Sequence, residues 1–492
     1  MKQAMQVKRR VTAPSASACT GTPGQATAAT DPATLPRLPR RRLLSFASAA
    51  AALVGVRGLA LGPRVAAAPP VAAGMATHLV AAISYAPGAY EGAARAAVET
   101  YIADHFASHH PGLLVSTVPA PDADRTSLAY QATVTAVLSG DAPDILAGTD
   151  YQLPAFADVG ALVPLAALTK DAHIDMGLFS PGHLAALTRA PFGLVGLPAF
   201  DGPDVLLVNY SLLDAMGIAD PSPDWTYLQA TATWTQATRD KGSLHYYGVS
   251  LDIEDYVTEL FGGSLMDASG TRCLLNSPDV LKAAEWLVPL ILRKIAQPIA
   301  DPPTADSLVR HGRAAFGSSP GGNVQGVVRD MTALGVSWDY LPMPYFPPFP
   351  PGHRMTYTNG EWYAMNTRSP HPRELVWALL RFLVLDPGYQ QFMYRLTWVP
   401  PNRLDRWPDW LRVVRALAPV LRDKHLEYYA QAMTYATPDL WFRYHPYQAD
   451  SILKLYLLAI ASGELAPERG LAAATADINA LQQGAASTSA NH

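Results

Sequence analysis

The chain has 492 residues, with 49% hydrophobic and 9% aromatic side chains and 43 prolines. That is ample apolar material for burial, and too much length for one simple core, so two lobes are expected. The first 68 residues hold ten of the 37 Lys and Arg but only Asp31 of the 41 Asp and Glu, leaving 27 basic against 40 acidic side chains beyond them, a formal charge of −13; such a balance, with no basic patch interleaved with aromatics, excludes a nucleic-acid binder.

Residues 11–35 are Ala, Thr, Ser, Gly and Pro with almost no large apolar group, and read as disordered. Arg40-Arg41-Arg42-Leu43-Leu44 then opens an apolar run, and Ala66-Ala67-Ala68 precede Pro69-Pro70. This is a charged n-region, an apolar h-region and an A-x-A cleavage site, with the paired arginines of a twin-arginine signal. A membrane anchor is the alternative, but Arg57 interrupts the run, which falls short of the about 20 apolar residues a span needs. Export to the periplasm or the outer face of the cytoplasmic membrane is therefore expected. Cys19 lies in this leader without the apolar run of a lipoprotein site, and Cys273 is then alone, so no internal disulfide can form.

From Thr77 the pattern alternates. Thr77 to Tyr85 reads as a buried strand, Gly92 to Ser108 as a helix, LLVSTVPA (113–120) as a strand and Arg125 to Leu138 as a helix. Pro143 to Leu146 is a third strand, ending at Gly148-Thr149-Asp150-Tyr151, and Leu153 to Val159 is helical. Strand–helix alternation predicts an α/β lobe with a mainly parallel sheet, whose ligands sit beyond the carboxyl ends of the strands. The loops Tyr85–Tyr90, Gly148–Tyr151 and Pro198–Asp201 fit that position. Val205 to Val208 is a short buried strand, Asn209 or Ser211 caps a helix stopped by Gly217, and Trp225-Thr226 starts another. Pro278 opens a helix to Arg293, Thr356 to Asn366 is a strand with Gly360 inside it, and the last helices, Asp450–Ser462 and Pro467–Leu481, split at Gly463.

Several of these stretches resemble one family. Leu197-Pro198, the strand to Asn209-Tyr210, the short helix ending at Gly217 and Pro223-Asp224-Trp225-Thr226 resemble the crossover of extracellular solute-binding proteins of the maltose-binding type, receptors of sugar-importing ABC transporters. The family has Tyr-Asn and Thr-Trp where this chain has Asn209-Tyr210 and Trp225-Thr226. Gly140-Asp141-Ala142-Pro143-Asp144-Ile145 is similar to its Gly-x-x-Pro-Asp-Val, and Gly160-Ala161-Leu162-Val163-Pro164-Leu165 to its Gly-x-Leu-x-Pro-Leu. His311 to Gly317, Trp338 to Pro344 and Trp398-Val399-Pro400-Pro401, with Trp where the family has Gly, extend the likeness over about residues 76–485. It implies a two-lobed periplasmic-binding-protein-like α/β fold of type II. Its parts would be a leader over 1–68, lobe 1 over 76–205 plus 363–397, lobe 2 over 206–362 and C-terminal helices over 398–485, with hinge strands near Val205–Asn209 and Trp362–Asn366.

There is no P-loop, G-x-G-x-x-G, H-E-x-x-H, nucleophile elbow or Cys pair, so no cofactor, metal or catalytic residue is assigned. Carbohydrate binding suits what is present. An aromatic ring buries the C–H face of a sugar, and acids or amides hydrogen-bond its hydroxyl rim. The candidates are loop residues: Tyr85, Tyr90, Asp150, Tyr151, Asp201, Glu361, Trp362 and Trp398. Each has a plainer alternative, core packing for the rings, a helix cap for Asp150 and a turn for Asp201. Trp362 and Glu361 lie on the second crossing, which faces the cleft in the resembling family. Trp225 reads as core. The partners this implies are a small carbohydrate and a membrane permease, with the chain as a monomer. Two rivals stay open: an exported glycoside hydrolase, whose carboxylate spacing a sequence cannot give, and a receptor for a phosphate ester or polyamine.

Overall fold

The computed structural model describes residues 77–489 except 84–92, 121–126, 150–155, 158, 190–191, 201, 252–256, 258–259, 268, 298–304, 348–353, 355, 359, 439–441 and 443–444. All described residues belong to the second of the chain's two units, Pro69–His492; the leader expected over 1–68 lies outside them. No helix among them is long and apolar enough to cross a membrane.

Two mixed five-stranded sheets organise these residues. The first is built from β1 (Thr77–Ile83), β2 (Leu113–Pro119), β3 (Ile145–Thr149), β4 (Leu197–Phe200) and, from far along the chain, β11 (Glu361–Met365); the second from β5 (Asp204–Asn209), β6 (Arg239–Lys241), β7 (Leu244–Ser250), β8 (Ala314–Pro320) and β9 (Trp338–Leu341). The first has the order β2-β1-β3-β11-β4, and the second β9-β5-β8-β7-β6. β1 runs parallel to β2 and β3, whereas β11 is antiparallel to β3 and β4, so the expected parallel sheet is interrupted by one returning strand.

The period-two alternation of strands sorts the core. Ile145, Ala147, Tyr363 and Met365 point to one face of the first sheet, where helices Ala93–His105, Arg373–Leu385 and Pro387–Thr397 cover them. Leu146, Trp362 and Ala364 point to the other, against Phe156, Leu187 and Val195. On the second sheet Val205, Leu207, Trp338 and Tyr340 meet Trp407, Trp410, Tyr429 and Met433, so the segment after Trp398 closes one face of that sheet. The opposite face is aromatic. Trp225 is buried there, its Nε1 donating to Pro342 O at 3.2 Å and its ring 5.6 Å from Phe316 and 6.1 Å from Trp234. Helices Pro446–Ala461 and Pro467–Ser489 pack on each other and on Pro278–Leu292, with Cys273 buried beside them, its N–H donating to Asn479 Oδ1 at 2.8 Å.

Local chemistry sets the boundaries. Asn209 accepts from Leu212 N at 3.1 Å and starts the helix Tyr210–Asp214. Thr226 and Gln229 form a reciprocal capping box at the start of Tyr227–Ala237. Thr226→Ala is expected to cost about 1 kcal/mol, read from the urea midpoint at unchanged m-value. Gly463 takes φ +78°, the left-handed conformation that separates the last two helices. The strand expected over 356–366 is broken into β10 (Tyr357–Thr358) and β11. At Gly360, just before β11, an added Cβ would lie 2.2–2.4 Å from atoms of the buried His183 ring, so only glycine lets the chain pass over the imidazole there.

Burial also sets an alkaline limit. Burial pushes the phenols of Tyr429, Tyr210 and Tyr394 upward, and that of Tyr435 to about 12. In the unfolded chain these groups ionise near the ordinary value of about 10. The unfolded state therefore loses protons first as pH rises, and stability drains away above that pH. The melting temperature followed by circular dichroism should be flat from about pH 8 to 10 and fall above about pH 10.

Candidate functional site

β3 and β4 are both antiparallel to β11, so they run in the same direction, and β1 runs with β3. The carboxyl ends of β1, β3 and β4 therefore lie along one edge of the first sheet, with the amino end of β11. Glu361 sits at that edge, paired with Thr149 on one side and Phe200 on the other, and a register shift follows between Glu361 and Trp362. A bulge of this kind re-aims the side chain at a strand end. Glu361 is half-buried, with Oε2 shielded from solvent.

The second sheet meets the same place. Pro320, the end of β8, pairs with Asp204, the start of β5, and β7 runs parallel to β8. Only residues 201–203 separate Phe200 of the first sheet from Asp204 of the second along the chain. Ser318 Oγ donates to the Asp204 carboxylate, and Ser319 Oγ and Tyr429 OH lie 3.1 Å apart. Thr356 Oγ1 donates to Asp204 O at 2.8 Å and Thr437 N to Thr356 O at 3.0 Å, where β10 pairs with β12 (Thr437–Pro438). Three chain passages are thus laced together at Asp204. A fourth, the loop after Trp398, pairs Pro401 with Phe200 and Arg403 with Phe179, and Ser180 N donates to Asn402 O at 3.2 Å.

The passages touch through glycines. Gly321 N donates to Pro203 O at 3.2 Å. A Cβ on Gly202 would lie 2.9 Å from Gly322 N, and one on Gly321 3.0 Å from Pro400 Cγ and 3.1 Å from Gly202 Cα. The two strands expected near the hinge flank these crossings. β5 belongs wholly to the second sheet and β11 wholly to the first, and the chain crosses in the non-strand segments before them. Pro203 has no N–H for a ladder, and Gly202 leaves no space for a side chain.

Of the candidates, Tyr85, Tyr90, Asp150, Tyr151 and Asp201 lie outside the described residues. The strands they follow end on the edge that holds Glu361. Trp362 is 0% exposed, its ring edge-on to Phe156 at 5.8 Å and its Nε1 donating to Thr149 O at 2.8 Å. A ring with no open face offers no stacking surface in this conformation, so the expectation of a stacking ring is corrected to a core ring. Regular alternation along β11, in unbroken register with β3, puts Trp362 with Ala364 on the face packed against Phe156, while Glu361 stands at the strand's end; the extra residue of the bulge is Ala199 on β4. Trp398 is half-buried at the end of Pro387–Thr397 with φ +61°, and its carbonyl accepts from Trp410 Nε1 at 2.9 Å. The left-handed conformation costs a non-glycine residue about 1–2 kcal/mol, a cost that glycine, the resembling family's residue at the matching position, would not carry. Sequence reasoning missed Thr356, Tyr429 and His183. Their signal is tertiary, since each acts on a passage distant in the chain. No group of His, Cys, Asp and Glu among the described residues could hold a metal ion.

A family model described as bacterial extracellular solute-binding protein matches residues 88–390. Solved structures share the fold. An ABC substrate-binding protein from Listeria monocytogenes in complex with cycloalternan has a TM-score of 0.66 at 17% identity, covering 82% of this chain and 98% of its own. The sugar-binding protein MalE from the phytopathogen Xanthomonas citri has a TM-score of 0.65 at 16% identity, covering 83% and 98%. The GacH receptor of Streptomyces glaucescens, solved unliganded and with acarbose, has a TM-score of 0.62 at 17% identity, covering 83% and 99%. No curated protein matches the chain.

Proposed function

Because the chain belongs to the family of bacterial extracellular solute-binding proteins, we propose that it is the exported receptor of an ABC importer, gripping a carbohydrate between its lobes without altering it. The observation that carries this reading is the meeting of both sheets' carboxyl-end edges at Phe200–Asp204. Such edges are where open α/β sheets place their ligands. The likeness to a sugar-binding protein and to receptors solved with cycloalternan and acarbose supports the choice of a sugar.

Lobe 1 is built on the first sheet, close to the expected 76–205 with 363–397 but taking Glu361 and Trp362 with β11; lobe 2 is built on the second, close to 206–362 but taking β5 from Asp204; the helices after 398 pack on them. Tyr85, Tyr90, Asp150, Tyr151, Asp201 and Glu361 line the cleft from lobe 1, with Trp398 at its margin. A ligand touching both lobes favours the closed form, because only that form offers both sets of contacts. The closed form then docks on a membrane permease. The monomer reaches its place through the twin-arginine leader.

Thermal shift with monosaccharides and oligosaccharides tests this. A binding sugar at 100 times its Kd should stabilise the chain by about 2.7 kcal/mol, and the same sugar should be recovered intact. Shortened oligosaccharide in the recovered pool would make the chain an exported glycosidase. Stabilisation by phosphate esters or polyamines with none by sugars would overturn the ligand class.

A further inference from the structure

The edge of the second sheet gathers cations on one face. β6 and β7 form a hairpin across Gly242 and Ser243, with Gly242 at φ +62°, and pair Arg239 with Tyr246, Asp240 with His245 and Lys241 with Leu244. Directly paired residues share a face, and neighbours along a strand alternate. Arg239, Lys241, Leu244 and Tyr246 therefore stand on one face of the hairpin. Arg313, which enters β8, joins them: its guanidinium lies 5.8 Å from the Tyr246 ring centroid, and that of Arg239 lies 5.6 Å from it. The acid of the hairpin is sorted to the opposite face, where Asp240 Oδ1 meets His245 Nδ1 at 2.8 Å.

Among the described residues, none of the three cations has a carboxylate partner. Arg313 donates from Nε and Nη2 to the His245 carbonyl alone. Arg239 has its Nε shielded from solvent and unpartnered, and its guanidinium meets only the Tyr246 ring. Leu244 is 44% exposed at the turn. An edge guarded only against pairing with other strands needs charge of either sign. Here the charge is of one sign, and it surrounds an aromatic ring and an exposed leucine.

We infer that this face of the β6–β7 hairpin docks on an anionic phospholipid surface. Leu244 and Tyr246 reach the headgroup boundary, and Arg239, Lys241 and Arg313 meet the phosphates. The net negative charge of the chain does not prevent it, because charges beyond about 8 Å are screened at physiological salt and the local face decides. The turn lies about 20 Å from Ser250 at the usual rise per residue, and the crossing at Asp204 and Pro320 lies beyond Ser250, so the contact stands apart from the proposed sugar cleft.

The test uses the full chain carrying Cys19→Ser and Ser243→Cys, labelled at the turn with an environment-sensitive fluorophore; Cys273 is buried and stays unlabelled. Vesicles of equal parts phosphatidylglycerol and phosphatidylcholine should shift the emission to the blue, and vesicles of phosphatidylcholine alone should not. Arg239→Ser, Lys241→Ser and Arg313→Ser should each raise the lipid concentration at half-shift about fivefold. Lys241 is exposed, so Lys241→Glu reads the effect without a folding defect. Attachment through the basic leader alone would leave the turn's emission insensitive to all four substitutions. That result overturns the inference, as would no shift or an equal shift on neutral vesicles.

Discussion

Gly248→Ala is expected to remove most of the stability of the second sheet. Gly248 lies in β7, and a Cβ there would stand 2.0 Å from the carbonyl oxygen of Trp234 and 2.6 Å from its carbonyl carbon. These are backbone atoms inside the helix Tyr227–Ala237, so no rotamer change relieves them. The helix cannot retreat either. Trp234 is 0% exposed and packs on Trp225 and Trp286, and Gly248 N donates both to Ile295 O at 3.0 Å and to Thr238 Oγ1 at 3.1 Å. Overpacking that flexible side chains can absorb costs about 1–3 kcal/mol. A backbone clash of this depth should cost about 4 kcal/mol or more, a large part of a typical total of about 5–15. Urea unfolding followed by tryptophan fluorescence measures it. A variant within 1 kcal/mol of wild type, about the scatter of ordinary substitutions, would mean that the helix slides freely on the sheet.

Gly202→Ala is expected to act on the lobe arrangement rather than on either core. The added Cβ would lie 2.9 Å from Gly322 N and 3.4 Å from Gly321 N, so the first crossing must move away from the end of β8. Pro400 presses on Gly321 from the other side, and Tyr429 lies behind it, its Cδ1 3.4 Å from where a Gly321 Cβ would stand. The wedge therefore raises the energy of the arrangement described here by about 1–3 kcal/mol and leaves other hinge angles untouched. Small-angle scattering of the unliganded variant should depart from wild type, away from this arrangement. The apparent Kd for a bound sugar should shift by about 5- to 150-fold while the contacts to sugar stay the same. Loss of melting temperature with unchanged scattering and unchanged Kd would make the glycine contact a packing feature alone.

The strands and helices of the described residues were legible because local signals agree with the fold. Alternation in β1 and β3, Asn209 and Thr226 as caps, Pro278 at a helix start and Gly463 at a helix end each work within one turn of chain. Trp225 was legible as core through the family resemblance, whose Trp at that place is structural, and it is buried here. Where reading failed, a distant segment decided. Nothing near Gly360 announces that His183 lies against it and demands glycine there. Nothing near Trp362 reveals that Phe156, Leu187 and Val195 cover its face of the sheet and bury its ring.

The amino-acid order alone therefore determined the α/β class, the succession of elements and the family resemblance, since each rests on periodicity and on residues adjacent in the chain. Only the tertiary structure decided which passages touch at Gly202, Gly321 and Pro400, which face of β11 is buried, and which cations of the β6–β7 hairpin lack partners. Those depend on contacts between segments a hundred or more residues apart in several cases, such as Thr356 with Asp204 or Tyr429 with Ser319. Such contacts leave no periodic trace along the chain, because neither partner's local conformation requires the other.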